Sequence, residues 1–110
     1  MDKPLKIACT SADGKIFLSI SDIYCIESYG NHAYVVYANK EKQFVTNSLR
    51  ELTDRLSDYG FCRIHRQFLI NISKIHKYQQ GEGNNVEMEN GIKYPLSKTG
   101  KLLFAEMVKK

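Results

Sequence analysis

No aspartate or glutamate occurs between Tyr59 and Gly81, and none between Asn90 and Ala105. A histidine needs a carboxylate or nucleophile partner to act in catalysis, and the first of these windows denies His65 any acid for sixteen residues on its C-terminal side. Cysteine is also scarce. Cys9, Cys25 and Cys62 are odd in number, far apart and set in apolar or alternating stretches, so they suit small core residues in a reducing compartment rather than a disulfide framework. No CxxC pair is present, and only His65 stands close to a cysteine, Cys62, which argues against a zinc site. Phosphate-binding loops and nucleophile constellations are missing too, so no enzyme, catalytic residue, metal or cofactor is expected. No apolar run approaches the roughly 20 residues that span a bilayer, and MDKPLKIACT lacks the long apolar core of a signal peptide. The expectation is a cytoplasmic protein that does not engage membranes.

What is present is an ordinary globular composition. A chain of 110 residues, 43% hydrophobic and 25% charged, fits one domain over residues 1–110 that folds without staples. The net charge of +4 says little alone, but its distribution says more. Residues 1–58 carry seven Lys/Arg and eight Asp/Glu, whereas residues 59–110 carry nine and four. The first acid-free window accumulates Arg63, Arg66, Lys74 and Lys77, and the second holds Lys93, Lys98 and Lys101. A phosphate backbone is the natural complement of such a stripe.

Along the chain, short β patterns come first. LKIACT (5–10) and KIFLSI (15–20) flank Asp13-Gly14 as a hairpin; DIYCIES (22–28), HAYVVYA (32–38) and KQFVT (42–46) follow, punctuated by Gly30-Asn31 and Asn39-Lys40. The period then changes. Ser48 to Glu51 forms a capping box, and Leu49, Leu52 and Leu56 recur at helical spacing, predicting a short amphipathic helix near 48–58 that stops at Gly60. Strands are predicted again at 61–65, 67–72 and 74–79, then as a hairpin, 86–90 and 92–96, around Asn90-Gly91. A terminal helix is predicted near 98–108. The chain shows no internal repeat, low-complexity tract or linker.

FCRIHRQFLINISKI (61–75) is a buried strand with an interruption. As one strand it would place Arg66 on the face of Phe68, Ile70 and Ile72, because side chains alternate with period two. Burying an unpaired guanidinium costs several kcal/mol. A break at His65 to Gln67 instead turns Arg66 outward, where it can meet phosphate or guanine.

In that order, DIYCIESYGNHAYV (22–35), NSLRELTDRL (47–56), FCRIHRQFLINISKI (61–75) and NGIKYPLSKTGKLL (90–103) resemble the LytTR DNA-binding domain of bacterial transcription regulators. The likeness covers roughly residues 7–105, and its most specific part is the F-x-R-x-H-R-x-F-x-I-N run at 61–71. The resemblance implies a mostly β fold: an elongated antiparallel domain of several small sheets, with loops at one edge entering successive major grooves. It implies base-reading by Asn31 and His32, by Arg66, and by Lys98, where arginine is common in the family. It further implies double-stranded DNA as partner and two copies on imperfect direct repeats, with this part either following a receiver domain in a longer regulator or standing alone.

Arg63, Lys74, Lys77 and Lys101 are the candidates for phosphate contact. His65 and Asn71 suit loop-ordering roles, the first by hydrogen bonding in the turn and the second by satisfying backbone groups at a bend. Glu27 suits an ion pair with a nearby cation. Arg50 and Arg55 share a helix with Glu51, Asp54 and Asp58, which favours local pairing. The rival to duplex recognition is a basic protein-interaction or single-stranded nucleic-acid module, with Tyr29, Tyr34 and Tyr37 as stacking surfaces.

Overall fold

The Asp13-Gly14 signal becomes the first hairpin: β1 (Lys6–Ser11) and β2 (Gly14–Ser19) pair antiparallel, with Gly14 at φ 130, where a side chain would be strained. This computed structural model describes residues 5–79, 81 and 83–109. Five strands make the central sheet: β3 (Cys25–Tyr29), β4 (His32–Val36), β5 (Lys42–Val45), β6 (Phe61–His65) and β7 (Phe68–Asn71), in the order β5-β4-β3-β7-β6. A three-stranded sheet follows, from β8 (Ile75–Gln79), β9 (Asn85–Met88) and β10 (Lys93–Pro95), in the order β10-β9-β8. Every pairing is antiparallel. Two helices complete the molecule, α1 (Leu49–Leu56) and α2 (Lys98–Val108).

At eight residues α1 is far shorter than the ~12–15 that hold a helix in water unaided. Its buried stripe of Leu49, Leu52 and Leu56 supplies what propensity does not, at about 1.5–3 kcal/mol for each fully buried side chain. The capping box forms by half. Ser48 Oγ accepts from the Glu51 amide at 3.1 Å, but the Glu51 carboxylate turns aside to accept from Asn47 Nδ2 and to meet Arg55 at 3.5 Å. A 3-10 turn, Ser57–Tyr59, finishes the helical segment, and Gly60 closes it at φ 80.

The central sheet is buried on both faces. Ile26, Ala33, Val35, Val45 and Leu69 pack with α1 and the first hairpin, while Cys25, Val36, Cys62, Ile64 and Ile70 pack with the three-stranded sheet and Phe104 of α2. One sequence expectation fails here: residues 22–24 are not strand. Ile20–Asp22 instead form a 3-10 turn, which brings Ile23 fully into the core before β3 begins.

Helix α2 packs on the backbone of β6. A Cβ on Gly100 would stand 1.7 Å from the Ile64 carbonyl oxygen, so only glycine permits this approach. Ser97 caps the helix, its Oγ accepting from the Gly100 amide at 2.9 Å, while its own amide donates to the Ile64 carbonyl at 2.9 Å. The position where α2 begins is thereby tied to the end of β6.

Candidate nucleic-acid interface

Register alone shows which turns share an end of the sheet. Tyr29 pairs with His32 across the β3–β4 turn, so Gly30 and Asn31 form its two-residue tip, with Gly30 at φ 60 as a type II′ turn requires. β3 also pairs with β7, Glu27 lying opposite Phe68, and the Ser28 amide donates to the Gln67 carbonyl at 2.9 Å. The β6–β7 turn, Arg66-Gln67, therefore stands beside the Gly30-Asn31 turn at one end of the sheet. Ser97 reaches the same end through Ile64, and Arg63, His65 and Arg66 line a shared cleft with Ser97, Thr99 and Leu103. Three turns thus converge on one rim. Asn31, Arg66 and Lys98 are exposed on it, and Lys101 follows Lys98 by three residues, on the same side of the first turn of α2.

His32 is half-buried behind Asn31. Its Nδ1 donates to the Thr46 carbonyl at 3.1 Å and its ring meets Phe44 edge-on, which leaves Nε2 as the free nitrogen. His65 does the reverse, its Nδ1 accepting from the Gln67 amide at 3.1 Å inside the turn. Asn71 is buried; its Nδ2 donates to the Ile23 carbonyl and its Oδ1 accepts from the amide and hydroxyl of Ser73.

The phosphate candidates separate. Arg63 commits Nε to the His65 carbonyl, Nη2 to the Arg66 carbonyl and Nη1 to Thr53 Oγ1, so the guanidinium braces the turn from inside. Partial burial lowers its pKa, though not enough to threaten a guanidinium's charge. Lys74 is at the opposite end of the sheet, its Nζ over the Tyr24 ring at 5.4 Å and its side chain lining a cleft with Asp22, Tyr37 and Glu41. Expected among the basic contacts, it stands apart from the rim because the Ile72–Lys74 3-10 turn carries the chain away from the sheet's far end. Lys77 is exposed on β8, opposite Glu87, which is in turn opposite Lys93. The acid-free windows of the sequence therefore do not translate into acid-free surfaces.

Glu27 anchors the sheet just behind the rim. Its carboxylate accepts from Lys42 Nζ at 2.9 Å and from the Tyr94 hydroxyl at 3.0 Å, linking β5, β3 and β10. Burial, with Cys25 and Glu27 as neighbours, pushes the Tyr94 hydroxyl well above its ordinary range, so it stays a donor. Burial likewise raises the thiols of Cys9, Cys25 and Cys62. All three cysteines are buried and free, and no metal-binding group of His, Cys, Asp and Glu exists among the described residues. Arg63 as a brace and Gly100 as a point of close approach escape notice in the sequence. The TG in PLSKTG, a glycine inside a predicted helix, is the one signal that could have found the second.

The sequence matches the family profile described as LytTr DNA-binding domain over residues 13–109. The chain belongs to the LytTR family. As a LytTR domain it is a DNA-binding domain, and the rim is the surface on this fold where turns and cations meet. Two curated relatives, the transcriptional regulatory protein BtsR of Salmonella typhi and that of Salmonella typhimurium strain LT2, are each 27% identical over 94 residues, covering 84% of this chain. The chain spans 38% of their length. In three dimensions it is similar to a LytTr DNA-binding domain of a Bacillus cereus protein described as a putative methyl-accepting/DNA response regulator, with a TM-score of 0.79 over 98% of this chain and 100% of the other at 23% identity. That likeness fixes the LytTR fold: mostly β, in several small antiparallel sheets, with two helices. No helix among the described residues is long and apolar enough to cross a membrane.

Proposed function

We propose that this LytTR domain, working as one unit over residues 1–110, reads double-stranded DNA sequence for a transcription regulator and performs no catalysis. The observation that carries the proposal is the convergence of the Gly30-Asn31 turn, the Arg66-Gln67 turn and the start of α2 on one rim. Asn31, the free Nε2 of His32, Arg66 and Lys98 are the base-edge contacts, with Arg66 in the middle. Arginine there can fork onto guanine O6 and N7, while Lys98 can reach the same atoms only as a point donor. Phosphate contact falls to Lys101, with Lys77 farther out and any donors Arg63 has left behind the turn. His65 and Asn71 order the backbone that presents these side chains.

On the likeness to LytTR domains, the outer members of the rim would seat in successive major grooves. Two copies on imperfect direct repeats would extend that footprint. Within a longer regulator, a receiver domain would switch this one. The test is selection of bound duplexes from a random pool, followed by competition of the selected duplex against its own single strand. Enrichment of a repeated motif with preference for the duplex supports the proposal. Preference for the single strand would favour the module that stacks bases on tyrosines, a reading weakened because Tyr37 faces the opposite core from Tyr29 and Tyr34.

A further inference from the structure

Four rings that belong to neither hydrophobic core form a cluster of their own. Tyr29, His32, Tyr34 and Phe44 share one face of the central sheet at its rim end, where the three-stranded sheet no longer covers it. Tyr29 meets Tyr34 edge-on at 5.4 Å and Phe44 at 6.3 Å, and Tyr34 meets Phe44 at 5.3 Å. The last ring in this tier, Tyr29, is 60% exposed. Solvent exposure of so large an apolar ring is unexpected in a sheet that buries most of its other apolar side chains. Its backbone is fixed as well as its ring, because Tyr29 closes the two-residue turn that carries Asn31.

We propose that Tyr29 is a specificity-determining residue whose ring packs on the 5-methyl group of a thymine next to the base that Asn31 contacts. The proposal rests on the duplex-reading function above and adds an apolar contact to it. Three features support this partner. Tyr29 is continuous with Asn31 in the same turn, so whatever groove admits the asparagine side chain admits the ring beside it. The thymine methyl is the one apolar group that a base pair presents in the major groove, and aromatic and aliphatic side chains are its usual partners. The edge contacts from Tyr34 and Phe44 hold the ring before DNA arrives, so little side-chain freedom is lost on binding. The carboxylate two residues back on the same face of β3, that of Glu27, is engaged by Lys42 and Tyr94 and does not oppose the approach of DNA.

The experiment replaces each thymine of the selected duplex with deoxyuridine, one position at a time, and measures binding to the wild-type domain, Tyr29→Phe and Tyr29→Ala. Deoxyuridine keeps every hydrogen-bonding group and removes only the methyl. Burying one methyl corresponds to about a fourfold gain in affinity. At one thymine, wild type and Tyr29→Phe should lose about three- to fivefold on deoxyuridine, while Tyr29→Ala should bind both duplexes within twofold. The far-UV circular dichroism spectrum of Tyr29→Ala should match wild type, which reports that the domain is folded. If no position is sensitive, or if Tyr29→Ala keeps the full sensitivity, the methyl contact is overturned while duplex reading stands. If wild type does not distinguish the selected duplex from the scrambled one, the underlying function fails and the contact with it.

Discussion

The Ile64 carbonyl oxygen occupies the space into which a side chain on Gly100 would grow, 1.7 Å from the ideal Cβ position. Helix propensity alone would make Gly100→Ala stabilising by about 1 kcal/mol. Overpacking costs about 1–3 kcal/mol and here meets backbone, which cannot rotate away. The net expectation is a lower urea midpoint together with weaker binding to the selected duplex, because α2 carries Lys98 and is displaced from β6. An unchanged midpoint would mean that α2 does not rest on the β6 backbone.

Arg66 and Lys74 both lie in the same acid-free window, yet the fold sets them at opposite ends of the sheet. Arg66→Ala should lower discrimination between selected and scrambled duplex by about 1–3 kcal/mol. Equal losses on both duplexes would demote it to a phosphate clamp. With about three phosphates neutralised, by Lys101, Lys77 and Arg63, log affinity should fall against log salt with a slope of roughly −2.7. Lys101→Ala should reduce that slope by about 0.9, and Lys74→Ala should leave it unchanged.

Glu27 accepts two hydrogen bonds of different value. Lys42 is half exposed, so Lys42→Ala should cost no more than about 1 kcal/mol. Glu27→Ala removes the acceptor from the buried Tyr94 hydroxyl and should cost about 1–3 kcal/mol. Chemical denaturation of both variants gives the comparison. The order reversed would place the weight of this site on the ion pair.

Burial pushes the Cys62 thiol up from 9.0 to about 11. An unfolded chain therefore loses this proton at lower pH than the native one and binds fewer protons between those values. The sign follows: the contribution of Cys62 to stability is complete below pH ~9 and falls as pH rises toward ~11. Thermal unfolding at pH 8 and pH 10 should show a smaller alkaline loss for Cys62→Ala than for wild type. Equal losses would mean that Cys62 titrates alike in both states.

All ten strands and both helices among the described residues were legible in the sequence, because glycine, asparagine and aspartate punctuate most of them, the Arg66 cation marks the break between β6 and β7, and the leucine stripe of α1 has a helical period. Partner choice was not. β3 lies beside β7 across more than forty residues, and no local pattern announces such a pairing. Apolar–polar alternation also failed as a guide, since adjacent Cys25 and Ile26 project to opposite faces yet are both fully buried, in different cores. Cations were counted correctly but could not be assigned tasks. Whether Arg63 meets a phosphate or a carbonyl depends on a turn two residues away, and Lys77 acquires Glu87 as a neighbour only when β8 and β9 pair. Tyr37 was grouped with Tyr29 and Tyr34 by nearness in sequence, but odd and even positions of a strand project to opposite sides.

Two cores sharing a single wall have a mechanical consequence. Ile26, Val35 and Leu69 cannot shift without disturbing the core under α1 and the first hairpin, nor Cys25, Val36 and Ile70 without disturbing the core under the three-stranded sheet, so the wall resists bending from either direction. Strands that end in the Asn31 and Arg66 tips are rooted in that wall. The tips can flex locally, but the distance between their bases is clamped, and a duplex with altered helical pitch would have to deform to fit the protein.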